Sequence, residues 1–332
     1  MENYHNKKQK PILFTGITPT GTLTLGHYFG VIRHLLNLQN DYQIYLMIAD
    51  LHALTTITDK KIDYKGKTKE IASLIYACGL REENCKVFVQ SSISSHLELS
   101  HYLSSYCSIG KLNNMIQYKE KSREKKNPSF SLLSYPVLMA SDILLYDADL
   151  VIVGKDQKQH LELTEYLANK FNSDNNNCLK IPNFSIPKLG SKIMGLKNPE
   201  KKMSKSGSDY ISLMDSEEVV NNKIMKAETD SEGKIFFDEE KKPGISNLLT
   251  IYSCLKNISI DEAEAIFVNS NYSYLKSVTS NYVCELLNEI GNEFKIYNSK
   301  IDEILNNNNL EIYKISEIKL KKIRKELNIW NF

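Results

Sequence analysis

Four short, nearly unbroken apolar runs punctuate the first half of the chain: Pro11 to Phe14, Gln43 to Ile48, Lys86 to Gln90 and Asp149 to Val153. A strand with one wet face alternates apolar and polar residues, whereas these runs lack that alternation and read as strands buried on both faces. Between them lie segments of helical period. One of these, Lys69 to Ala77, is closed by Gly79, at the position where a helix end turns left-handed. The βαβα order predicts an α/β fold built on a Rossmann-like, doubly wound parallel sheet, which takes its ligands outside the carboxyl ends of its strands.

After Ser206 the pattern turns helical, through Glu217 to Ala227, Ile245 to Cys254, Ile260 to Phe267, Tyr274 to Phe294 and Leu310 to Leu327. We therefore expect a Rossmann-like catalytic domain over residues 1–206, an all-helical domain over 207–309, and a C-terminal helix over 310–332 that packs back on the body. No internal repeat is visible. The asparagine runs at Asn175 to Asn177 and Asn306 to Asn309 read as compositional drift with no mechanism.

Composition adds little to this picture. The 332 residues are 42% hydrophobic and 25% charged, as in an ordinary globular protein, and the net charge of +2 points to no partner. Local charge says more, because the runs from Lys119 to Asn127 and from Lys314 to Lys325 are basic, as a phosphate-handling or RNA-touching surface would be. Six cysteines without a C-x-x-C pair argue against a zinc or iron–sulfur site and against a disulfide scaffold. Met1 to Lys10 lacks the apolar core of a secretory signal, and Leu132 to Gly154 is interrupted by Asp142, Asp147 and Asp149. A cytoplasmic protein without a membrane span is the expectation.

Two segments carry the chemistry. Gly16-Ile17-Thr18-Pro19-Thr20-Gly21-Thr22-Leu23-Thr24-Leu25-Gly26-His27 lies between a predicted strand and a predicted helix, and Lys202-Met203-Ser204-Lys205-Ser206 follows 175 residues later. Pyrophosphate leaves with several negative charges, so a site that expels it needs ammonium groups on one side and backbone amides on the other. Lys202 and Lys205, flanking Ser204, supply the first, and the turn ending at Gly26 the second. The pair points to cleavage of ATP at its α-phosphate.

With these segments the chain resembles a bacterial-type tryptophanyl-tRNA synthetase, a class I aminoacyl-tRNA synthetase, over nearly its whole length. Further matching blocks are Ile48 to Thr55, Leu133 to Tyr146, Val153 to Thr164, Thr229 to Gly233 and Lys242 to Leu249. The resemblance implies formation of tryptophanyl-adenylate from ATP and L-tryptophan, then transfer to tRNA(Trp), with Mg2+ bridging the phosphates and with few direct protein ligands. It implies that Thr18, Pro19 and Thr20 line the α-phosphate side, that Gly26 lets the helix end approach, and that His27 bonds the phosphates. Thr18 stands where the family usually has glutamine, and Thr24 where it has the first histidine of H-x-G-H. It implies further that Lys121 reaches the terminal phosphates, Ile193 touches adenine, and Gly154, Lys155 and Asp156 lie on the ATP side, Gly154 by close backbone approach and Asp156 at the ribose hydroxyls. The pentapeptide Lys202, Met203, Ser204, Lys205 and Ser206 covers the departing pyrophosphate. For the amino acid, Asp142 accepts the indole N–H, Phe14, His52, Met139, Val151 and Val153 surround the ring, and Tyr135 and Gln157 lie near the ammonium. A homodimer and an anticodon-binding role for residues 207–309 are implied as well. The alternatives are a tyrosyl-tRNA synthetase, a non-catalytic relative that binds tRNA or tryptophan, and a small-substrate nucleotidyltransferase.

Overall fold

The computed structural model describes residues 10–56, 62–123, 126–185, 193–203 and 209–331. Five parallel strands form one sheet in the order β3-β2-β1-β4-β5. They are β1 (Ile12–Ile17), β2 (Gln43–Ile48), β3 (Cys85–Val89), β4 (Leu150–Ile152) and β5 (Asn183–Ser185). Because side chains alternate across a strand, each strand feeds two cores. Leu13, Ile44, Leu46, Ile48 and Val87 enter one core, and Phe14, Tyr45, Met47, Phe88 and Val151 enter the other. Helices cover both faces, which is why the strands are apolar throughout.

β1 pairs with β2 on one side, Ile12 opposite Gln43, and with β4 on the other, Leu13 opposite Leu150. The chain thus winds outward through β2 and β3, then returns to wind the other way through β4 and β5. The loops after β1 and β4 consequently diverge and open a crevice between them. Thr18 to Thr20 leave β1 and Gly154 to Gln157 leave β4 at that crevice. The fifth strand escapes the pattern because it is three residues long and begins and ends in polar residues.

The main departure lies at the C-terminal end. One helix of 55 residues, Tyr272–Glu326, stands where the sequence suggests Tyr274 to Phe294 and Leu310 to Leu327, so residue 309 falls within a continuous helix. The asparagine run that reads as drift has a structural role. Asn308 is 6% exposed, and its Nδ2 donates to the Val87 carbonyl and to the Tyr76 hydroxyl, both at 3.0 Å. Asn309 Oδ1 accepts from the Val89 amide at 2.9 Å. These side chains satisfy backbone groups on the outer edge of β3, where no further strand pairs among the described residues. The last turns of the helix continue over the body: Lys319 Nζ donates to Asp147 and to the Cys178 carbonyl at 2.5 Å, and Arg324 grips both oxygens of Glu98 at 2.6 Å. Two cations of the basic run are thus used internally, while Lys321 and Lys322 are exposed.

Candidate active site

The turn after β1 is drawn tight by Thr20 N donating to the Thr18 carbonyl at 2.9 Å and by a left-handed Gly21 at φ 73°. Thr24 then begins the helix. Its backbone N–H lies 3.2 Å and its hydroxyl 2.8 Å from His27 Nδ1. A backbone N–H only donates, so Nδ1 is the acceptor and a neutral His27 carries its proton on Nε2. That tautomer is a donor, which suits a phosphate oxygen. Thr24 therefore orients His27 from the position where the family has its other histidine.

Two backbone contacts tie residues 211 and 213, which follow the loop of Lys202 to Ser206, to this turn. Leu25 N donates to the Ile211 carbonyl and Leu213 N to the Leu23 carbonyl, both at 2.9 Å. On the near side of the loop, Met203 N donates to the Ile193 carbonyl at 2.8 Å, and Met194 bridges Lys202 in antiparallel fashion. Asn247 clamps this hairpin by accepting from Met194 N at 2.9 Å and donating to Met194 O at 3.0 Å. A Cβ on Gly26 would lie 3.6 Å from that of Met203, so the helix start and the loop are in contact. Lys202 is exposed. Ser204, Lys205 and Ser206, and the side chain of Lys155, lie outside the described residues.

A cavity of about 500 Å³ opens at the crevice. All eight residues implied for tryptophan line it: Phe14, His52, Tyr135, Met139, Asp142, Val151, Val153 and Gln157. Thr18, Thr20, His27, Lys121, Gly154 and Asp156 line it too. Ile193 and Met203 do not: their side chains are 0% and 5% exposed and belong to the core beneath. Ile193 is buried in that core, and its backbone carbonyl accepts from the Met203 amide. Pro19, Gly26 and Lys202 also lie outside the cavity lining.

At the apolar end, Asp142 is 1% exposed and surrounded by donors. His52 Nε2 lies 2.7 Å from Oδ2, Gln90 Nε2 lies 2.9 Å from both oxygens, and His96 Nδ1 lies 2.7 Å from Oδ1, out of line for a good hydrogen bond. Burial alone would raise the Asp142 pKa, but His96 and His52 outweigh it and hold the carboxyl down at about 2. The group is an anion in a dry place. Tyr146 completes the arrangement with its hydroxyl 2.8 Å from His96 Nε2.

At the polar end, five side chains close a ring. Gln117 Nε2 donates to the carbonyl and carboxylate of Asp156 at 3.1 and 3.3 Å, and the Tyr135 hydroxyl donates to Gln117 Oε1 at 2.9 Å. The same hydroxyl lies 2.9 Å from His160 Nε2, and His160 Nδ1 lies 2.9 Å from Gln157 Oε1. Gln157 Nε2 returns to Asp156 at 2.5 Å. Burial, with Lys121 adding to it, lowers the His160 pKa to about 4, so the ring is neutral at pH 7 apart from Asp156. Burial and the nearby Asp156 keep the Tyr135 phenol protonated. Lys121 Nζ sits 5.3 Å from the Tyr135 ring centre and 3.3 Å from Gln117 Oε1, at the mouth.

The cavity is an apolar slot ending in a buried anion, with a polar waist and with the turn after β1 in its wall. Residues 6–288 match the family of class I tRNA synthetases for tryptophan and tyrosine (W and Y). The chain belongs to this family. It is 41% identical to the tryptophan–tRNA ligase of Halalkalibacterium halodurans over 96% of this chain and 98% of that one, and 40% identical to that of Bacillus subtilis over the same shares. Its fold matches the tryptophanyl-tRNA synthetase of Mycoplasma pneumoniae with a TM-score of 0.87 at 31% identity, covering 97% and 99% of the two chains. The Campylobacter jejuni enzyme complexed with ADP and tryptophan matches at 0.82 and 27%, covering 96% and 100%. A tyrosyl-tRNA synthetase from Archaeoglobus fulgidus shares the fold at 0.67 and 22% identity, covering 87% and 91%.

The sequence does not single out Gln90, His96, Gln117 or His160 as site residues. Gln90 carried a signal, as a polar residue closing a buried strand, and His160 sits one helical turn after Gln157 inside a matched block. His96 carried none, because its partners Asp142 and Tyr146 are 46 and 50 residues away and only the fold brings them together.

Proposed function

We propose that the chain is a tryptophan–tRNA ligase that activates L-tryptophan with ATP and esterifies it to tRNA(Trp). The observation that carries this is the joining, in one cavity, of a slot ending at anionic Asp142 and a turn built to meet phosphates. The attacking group is the substrate carboxylate, already ionised at neutral pH, so no strong general base is required. Its oxygen attacks the α-phosphorus, the bond to the β-phosphate oxygen breaks, and pyrophosphate departs. A terminal ribose hydroxyl of the tRNA then attacks the acyl carbon and AMP leaves.

In this reading Phe14, Met139, Val151 and Val153 grip the indole and Asp142 accepts its N–H. Tyr135 and Gln157 meet the ammonium, and Asp156 meets the ribose. Thr18, Thr20 and His27 meet the phosphates, which Lys121, Lys202 and Lys205 neutralise as pyrophosphate forms. Mg2+ bound with ATP would add to this charge neutralisation. The helical residues after 206 suit the anticodon arm, with Lys321 and Lys322 as exposed cations. Ile109, Ile116 and Phe130 are 69%, 59% and 78% exposed on three successive helices in mutual contact, which suits a homodimer interface. No helix among the described residues is long and apolar enough to cross a membrane, which is compatible with a cytoplasmic place in translation.

The tyrosyl alternative has less support, because a phenol needs a polar pair along its ring axis and this slot ends in Met139 and a single carboxylate. ATP–pyrophosphate exchange measured with each of the twenty amino acids tests the proposal. Exchange driven by tryptophan alone is expected, and comparable exchange with tyrosine would reject it.

A further inference from the structure

Gln90 and His52 make three hydrogen bonds to the Asp142 carboxylate, and His96 Nδ1 stands against Oδ1 out of line for a fourth, so every side of the carboxylate is taken. A carboxylate offers about four lone-pair positions. Oδ1 faces His96 Nδ1 at 2.7 Å and Gln90 Nε2 at 2.9 Å, while Oδ2 faces His52 Nε2 at 2.7 Å and Gln90 Nε2 at 2.9 Å. A substrate N–H therefore reaches this carboxylate only by taking the place of one of them.

The three donors differ in how they are held. Gln90 and His96 are both 0% exposed, Gln90 at the end of β3 and His96 stacked on Phe88 at 6.2 Å and edge-on to Tyr146 at 5.6 Å. His52 is 13% exposed, lines the cavity, and sits on the short helix Asp50–Ala53. Its ring meets Tyr135 edge-on at 6.2 Å, in the wall of the slot. Of the three it alone has an open side, and that side is the substrate's.

We infer that His52 is a specificity-determining residue that donates to Asp142 Oδ2 in the place of the substrate N–H and yields that position to it, while Gln90 and His96 hold the carboxylate fixed. This rests on the reading of Asp142 as the acceptor for the indole. Its physical content is an exchange: one N–H replaces another, and the buried anion is never left short of a donor. A side chain without an N–H cannot make the exchange, so it meets His52 still in position. Discrimination in the wild-type enzyme is therefore the difference between indole and imidazole as partners of Asp142, which is smaller than the full worth of the indole bond.

The test compares kcat/KM in ATP–pyrophosphate exchange for tryptophan and for its benzothiophene analogue, in which sulfur replaces the indole N–H within the same ring shape. Losses of folding or of ring stacking affect both substrates alike, so the ratio isolates the N–H. In His52→Ala the competitor is gone and Oδ2 lacks a partner until the indole arrives, so the ratio should rise about tenfold to a hundredfold. His52→Gln, which keeps a donor, should stay near the wild-type ratio. An unchanged or lower ratio in His52→Ala overturns the inference. The underlying reading is tested separately by Asp142→Asn. If the wild-type ratio is near one and this variant does not move it, Asp142 is not the acceptor and both ideas fall. If Asp142→Asn collapses a large ratio while His52→Ala leaves it alone, only the role of His52 is lost.

Discussion

Acidification provides a direct probe of the closed ring at the polar end of the cavity. His160 is 1% exposed, and burial, reinforced by Lys121, lowers its pKa from 6.5 to about 4. The folded protein binds the His160 proton less tightly than the unfolded chain. Its stabilising contribution is thus complete above pH 6.5 and is lost as the pH falls from 6.5 towards 4. At about 1.4 kcal/mol per pH unit, this amounts to about 3 kcal/mol over that window. Urea unfolding at intervals from pH 7.5 to 4 on wild type and on His160→Gln separates this from the other carboxylates and histidines, which titrate in both proteins. The stability difference between the two should shrink by about 3 kcal/mol as the pH falls. A difference that stays constant across the window would refute a buried neutral His160.

Gln90→Leu removes two hydrogen bonds to a buried anion and should raise the tryptophan KM about tenfold to a hundredfold while leaving the ATP KM nearly unchanged; equal shifts in both constants would contradict it. Asn308→Leu strands the Val87 carbonyl and the Tyr76 hydroxyl and should cost about 1–3 kcal/mol in urea unfolding without altering tryptophan KM. Lys205→Ala should lower kcat for pyrophosphate exchange about a hundredfold with little change in tryptophan Kd, because its charge acts on the leaving group.

The central sheet was legible because strands buried on both faces must be apolar throughout, and the expected run Gln43 to Ile48 coincides with β2. At β4 the run Asp149 to Val153 is one residue longer at each end than the strand, although the Asp149 backbone still bonds to Ile12 and Asn183 on the two neighbouring strands. β5 lacked apolar length, and the long helix was split because an asparagine run has poor helix propensity unless a sheet edge needs its amides. The segments proposed to meet the phosphates, one turn and one loop, are each contiguous in the chain and so could be picked out without the fold. The amino-acid end was different. Met139 and the valines read equally well as core, and only the resemblance set Asp142 apart. The donors that define that carboxylate, Gln90 and His96, lie in other segments, so their role exists only in the folded chain.

Charging of tRNA is the most direct test of the proposed activity. Purified protein, ATP and Mg2+ should esterify tryptophan to tRNA(Trp), while tyrosine with tRNA(Tyr) should give no product above background. Charging of tyrosine at a comparable kcat/KM, or no charging of tRNA(Trp) by a folded protein that binds tryptophan, would contradict it.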